Sequence, residues 1–268
     1  MPDPVERLKP LFYRKPQPLI PAIHDDVRLV AGDFGFAQET NAVPITIVEF
    51  AAAMRHYPIV FAEGGSFPLA TLGLGKANRF VADGDWADGH YVPAYVRRYP
   101  FVFADAGDQG FALALDVMSE RVVQNGDEGV ALFEAGLPTT FTQNAMAFCR
   151  DFHQAHLATI AFVQALAEHG LLTSRRADAN FIDAGGPMTL TGFRVIDREK
   201  VAQLADDVIL DWHRRGWLEL VAFHLASLER FADLFGRERE AIGKIAMPDL
   251  AHPDPVASES FDSGTAAA

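Results

Sequence analysis

The chain has 268 residues, with 23 Lys and Arg against 36 Asp and Glu, a formal net charge of −13. A hydrophobic fraction of 49% with 22% charged residues is that of a folded globular protein and excludes global disorder. The acid excess excludes a main task of coating nucleic acid, which needs clustered Lys and Arg, and the single Cys149 excludes an intrachain disulfide and a multi-thiolate metal site.

The first twenty or so residues read as extended, because Pro10, Pro16, Pro18 and Pro21 forbid a continuous helix. No apolar run there has the length of a secretory leader, and none elsewhere reaches the roughly 18–20 residues of a membrane span. The expected location is therefore the cytoplasm, with association to the cell surface by leaderless export left open. A short helix is predicted over Ile45–His56 and is stopped by Tyr57-Pro58. Ile59–Ala62 then reads as a buried strand, followed by strands over Pro68–Leu74 and Arg79–Ala82 around glycine turns.

The same phrase recurs: Arg55-His56-Tyr57-Pro58-Ile59-Val60-Phe61-Ala62 is echoed by Arg97-Arg98-Tyr99-Pro100-Phe101-Val102-Phe103-Ala104. In each copy a short helix stops at Tyr-Pro, a buried strand follows, and an alternating strand comes after an acidic glycine turn; the second is Phe111–Asp116. From Thr140 the period changes. Phe141, Ala145, Phe148, Phe152, Ala155, Thr159, Phe162 and Leu166 mark one face of a long helix ending near Gly170. Ala179–Asp183 and Met188–Ile196 flank Ala184-Gly185-Gly186-Pro187 as a hairpin, and Asp197 suits the cap of a helix from Arg198. Helices over Asp206–Arg215 and Leu218–Phe235 follow.

The fold class is α+β. Its N-terminal half carries a twice-repeated short helix/strand/strand unit, and its C-terminal half is mainly helical with one β-hairpin. Pairing of that hairpin with the N-terminal strands would join residues 1–245 into a single domain, with 246–268 a disordered acidic, small-residue tail.

Several runs resemble the bacterial SapC family: Asn41-Ala42-Val43-Pro44, Tyr57-Pro58-Ile59-Val60-Phe61, Asn78-Arg79-Phe80-Val81 and Gly84-Asp85-Trp86. The most specific is Tyr91-Val92-Pro93-Ala94-Tyr95-Val96-Arg97-Arg98-Tyr99-Pro100-Phe101, and Leu190–Asp197 and His224–Leu228 continue the likeness. It covers roughly residues 20 to 235. The resemblance implies a role at a bacterial surface layer or beside outer-membrane uptake receptors; it carries no catalytic residues.

Two constellations stand out. Arg55, Tyr57, Trp86, Tyr91, Tyr95, Arg97, Arg98 and Tyr99 form a basic-aromatic set suited to a small anionic or glycan-like ligand. The structural alternative is arginine at helix C-termini, favoured by the helix dipole and stacked on tyrosine. Cys149, His153 and His156 fall on one stripe of the long helix and, with His224 from another helix, would suit Zn or Fe(II). The alternative there is solvated histidines beside an inert buried cysteine. No nucleophile elbow, phosphate loop or dinucleotide fingerprint is present, so no other cofactor is expected. Asp105, Asp108 and Asp116 fit no calcium-loop spacing and read as solvated turn carboxylates.

The expected function is a non-catalytic binding or accessory protein of the bacterial envelope, serving surface-layer assembly, export or nutrient uptake. Its partners would be a small ligand, an envelope or transport protein, or a second copy in a homo-oligomer. The alternative is a metal-dependent enzyme using the Cys/His/His stripe.

Overall fold

The computed structural model describes residues 10–65, 67–105, 110–124, 126–181 and 186–246. Apart from Ala246, which closes the last helix, the expected tail lies outside the described residues, as do Asp108 and Ala184 and Gly185 of the predicted hairpin turn; Gly186 and Pro187, predicted in that turn, begin a strand.

The fold is mixed α+β. An antiparallel five-stranded sheet takes strands from both halves of the chain, in the order Leu172–Phe181, Gly186–Ile196, Ile59–Ala62, Pro68–Thr71, Ala42–Pro44. The late hairpin joins at Arg194 opposite Phe61 and Phe193 opposite Ala62. Both faces of the Ile59–Ala62 strand are covered, which is why its sequence is a continuous apolar run. Ile59 and Phe61 pack with Phe50, Phe162, Leu166 and Trp212, whereas Val60 packs with Phe193, Val195 and the helix side chains Phe231 and Phe235.

Pro16–Pro18, Phe111–Asp116 and Phe101–Asp105 make a second antiparallel sheet, and Val122–Gln124, Val27–Leu29 and Val130–Ala131 a third. Both Tyr-Pro pairs end a short helix and begin a strand. The two strands nevertheless enter different sheets, the first the five-stranded one and the second a three-stranded one.

The long helix runs from Thr140 to Glu168, about 44 Å at 1.5 Å per residue. Thr139 caps it by accepting from the Thr142 N–H. It spans two cores. Cys149 packs with Phe101, Leu115 and Leu132, whereas Phe162, Val163 and Leu166 enter the core of the large sheet. Thr159 fastens its middle, donating to the Ala155 carbonyl at 2.7 Å and accepting from the Ile47 N–H at 3.0 Å. Asp197 caps its helix as expected, accepting from Glu199 and Lys200.

Several element boundaries differ from the sequence reading: Ile45–His56 is a 3-10 turn, Ile47–Glu49, running into a short helix, Phe50–Ala53; the Pro68–Leu74 strand ends at Thr71; and the first strand of the hairpin spans Leu172–Phe181. Arg79–Ala82 is reduced to a two-residue strand, Val81–Ala82, paired with Asp85–Trp86. The last predicted helix is two helices, Trp217–Ser227 and Arg230–Ala246. Ser227 accounts for the break: its hydroxyl turns inward, donates to the His224 carbonyl at 2.6 Å and accepts from the Ile59 N–H at 3.0 Å.

Candidate functional site

The predicted basic-aromatic set is divided among four environments. Tyr57 and Trp86 are buried in a network beneath the surface: Trp86 Nε1 donates to the Tyr57 hydroxyl at 3.0 Å, and that hydroxyl donates to the Tyr91 carbonyl. Tyr91 in turn donates to Glu49 Oε1 at 3.0 Å. Glu49 is itself buried and also accepts from the Ala94 N–H and from Thr46. Burial and the Glu49 carboxylate together push the Tyr91 hydroxyl up to about 12. Every member is engaged, and the network ties the helix Ala94–Arg97 to Glu49 through the Ala94 N–H.

Arg97 and Arg98 follow the structural alternative. Arg97 donates from Nε to the Val92 carbonyl at 3.0 Å and lies over the Phe148 ring at 5.2 Å. Arg98 sits in the corner made by Tyr95, at 4.2 Å from the ring centroid, and Phe152, at 4.5 Å, two rings that meet edge-on at 6.3 Å. The cluster fixes the long helix against the second Tyr-Pro unit. Arg55 is exposed elsewhere, beside His56 and His90.

Tyr99 does border an open cleft, of about 600 Å³. Its floor is aromatic: Tyr99 stacks on Phe36 at 4.2 Å, and Phe12 meets Phe36 edge-on at 5.1 Å. Arg121 closes one side. Its guanidinium donates to the carbonyls of Tyr99, Gly32 and Asp33 and lies 5.2 Å from the Phe36 ring. Gly32 is needed there, because a Cβ would collide with the Arg121 side chain. The polar rim consists of Arg14, Asp33, Ser119 and Glu120. Below it Asp116 is buried, accepting from the Arg14 and Lys15 N–H groups at 2.9 and 2.7 Å and from the Tyr99 hydroxyl at 3.3 Å. Asp116 is thus no solvated turn carboxylate. It pins the N-terminal segment to the Phe111–Asp116 strand and so builds the cleft wall.

Sequence reasoning found Tyr99 and missed the rest of this cleft. The signal available was the aromatic-glycine run Asp33-Phe34-Gly35-Phe36, whose rings have no helical or strand period to satisfy.

The predicted metal set is likewise dispersed. Cys149 is buried among apolar side chains, and burial pushes its thiol up to about 11, so it stays protonated. His153 lies against Phe111 at 4.2 Å and His156 stacks on Phe67 at 4.2 Å; their two rings are 6.2 Å apart. His224 is buried against Phe61, and its Nε2 accepts from the Ile196 N–H at 3.0 Å. That leaves the proton on Nδ1, and neither nitrogen offers a free lone pair. Among the described residues, no group of three or more His, Cys, Asp or Glu side chains is placed to hold a metal ion. No described helix is long and apolar enough to cross a membrane.

Fold and clefts together define an α+β chain with open, polar-rimmed surface sites on a framework of buried hydrogen-bonded carboxylates. The chain belongs to the SapC family, whose model matches residues 19–234. No curated protein and no solved structure matches it.

Proposed function

We propose that this protein is a non-catalytic binding protein of the bacterial envelope that takes a neutral, glycan-like ligand in the Tyr99 cleft. The supporting observation is the composition of that cleft. Asp33 and Glu120 supply acceptors, Arg14 supplies donors and Ser119 both, over a floor of Phe12, Phe36 and Tyr99. Arg14 and Arg121 balance Asp33 and Glu120, so the cleft offers an anion no net charge, whereas a polyhydroxylated ligand needs both donors and acceptors. A volume of about 600 Å³ suits one or two sugar rings. The envelope assignment is supported by membership of the SapC family and by what that family's resemblance implies.

The test is a panel of neutral and acidic oligosaccharides screened by thermal shift and then calorimetry on the full chain. Preferential binding of neutral sugars is expected. Preference for acidic sugars, or no binding across the panel, contradicts the assignment. Cell fractionation tests the envelope role, with recovery in the envelope or with envelope complexes expected and an exclusively free pool contrary to it.

A further inference from the structure

A second cleft, of about 490 Å³, shares no lining residue with the first. It lies between the end of the first short helix, the His90 loop and the last helix. Its walls bring together Arg55, His56, Phe80, His90 and Arg237. The rings of His56 and His90 are 5.0 Å apart. Arg237 packs over Phe80 at 4.3 Å and donates to His90 Nε2 at 2.9 Å, while His90 Nδ1 donates to the Asp88 carbonyl at 2.8 Å. The tautomer of His90 is therefore fixed, and the Arg237 guanidinium, which also donates to the Arg79 carbonyl at 3.4 Å, is held in the cleft wall.

The charge balance is specific to this place. Facing the two histidines are Arg55, Arg230 and Arg237 and the carboxylates Asp233 and Glu240. Asp233 is matched by Arg230 at 2.8 Å. Arg55 and Arg237 make no ion pair among the described residues, so cations exceed acids in a chain whose net charge is −13. Burial and the neighbouring His90, Arg55 and Arg230 hold His56 below the ordinary imidazole range, as expected where positive charge lacks a counter-ion.

The last helix also leaves room. Gly236 sits inside it, where glycine costs about 1 kcal/mol relative to alanine. A Cβ at this position meets nothing within 4 Å.

We propose that this cleft binds a phosphate-type oxyanion, free or carried on a small molecule, held by Arg55 and Arg237 and by the imidazole of His56, with His90 orienting Arg237. Guanidinium groups match the acceptor geometry of such an anion. Protonation of His56 adds attraction, so binding strengthens as pH falls.

The test titrates inorganic phosphate and, separately, glycerol 3-phosphate into the full chain at about pH 6 and about pH 8, read by calorimetry and histidine NMR. Saturable binding is expected, with His56 and His90 signals shifting and affinity at least about fivefold higher at the lower pH. Arg55→Gln is expected to weaken it about tenfold. Gly236→Leu, which fills the opening while favouring the helix, is expected to abolish it with thermal stability retained. Saturation by inorganic phosphate supports the free anion, and saturation by glycerol 3-phosphate alone supports a phosphorylated small molecule. No saturation by either, or binding unchanged in both variants, overturns the proposal.

Discussion

Arg79 and Glu238 form an ion pair at 2.8 Å in which the Glu238 side chain is 0% exposed. The carboxylate's other oxygen accepts from the Leu74 N–H at 2.7 Å. One carboxylate thus ties the last helix to the loop between the large sheet and the Val81–Trp86 hairpin. Removing one partner of a buried pair leaves the other uncompensated, so Glu238→Ala is expected to lose about 3 kcal/mol of stability. Urea denaturation of the variant measures it; a loss below about 1 kcal/mol would show that the pair carries no such weight.

Glu49 collects four donors: the Thr46 N–H and hydroxyl, the Ala94 N–H and the Tyr91 hydroxyl. Glu49→Ala orphans them together and is expected to cost about 3 kcal/mol or more, whereas Tyr57→Phe, which strands the Trp86 N–H, costs about 2 kcal/mol. Equilibrium unfolding of both variants checks the order. If Tyr57→Phe proves the more damaging, the Glu49 centre of the network is misplaced.

His224 makes stability depend on acid. Burial pushes its pKa down to about 3, while the unfolded chain titrates near 6.5. Between those values the unfolded state binds the extra proton, so stability falls as pH drops, by roughly 2–3 kcal/mol at pH 4.5. His224→Gln can still accept from Ile196 but takes up no proton. Its stability, compared at about pH 7.5 and 4.5, is expected to change less than the wild type's by that amount. Equal slopes would contradict the buried neutral assignment.

Arg98 is a packing residue on this account. Arg98→Lys loses the guanidinium's contact with both Tyr95 and Phe152 and is expected to cost about 1–2 kcal/mol. Ligand affinity at the Tyr99 cleft is expected to hold. A variant of unchanged stability but lost affinity would return Arg98 to the binding surface.

What could be read from the sequence was what neighbours along the chain decide. Tyr57-Pro58 and Tyr99-Pro100 follow short helices because a proline beyond the first turn has no N–H to extend one and clashes with the preceding turn, and Asp197 caps because its side chain reaches two residues on. The long helix follows from its apolar spacing, although Cys149 is fully buried where Phe148 and Phe152 are only half-buried. The clefts were not legible. Phe12, Phe36, Tyr99 and Arg121 come from separate segments, brought together by the pairing of Pro16–Pro18 with Phe111–Asp116. Ligand chemistry alone places His224 with His153 and His156, and only tertiary burial turns it into an acceptor for Ile196. The ladder of Tyr-Pro phrases gave the order of elements but not which sheet each strand enters.

The most direct measurement of the central claim is calorimetric affinity for a neutral oligosaccharide in the wild type and in Arg14→Ala and Glu120→Ala. Both side chains are more than half exposed and line the cleft rim, so neither carries the fold. The account predicts about tenfold weaker binding in each variant at unchanged thermal stability. Unchanged affinity in both, or no oligosaccharide bound by the wild type, would contradict it.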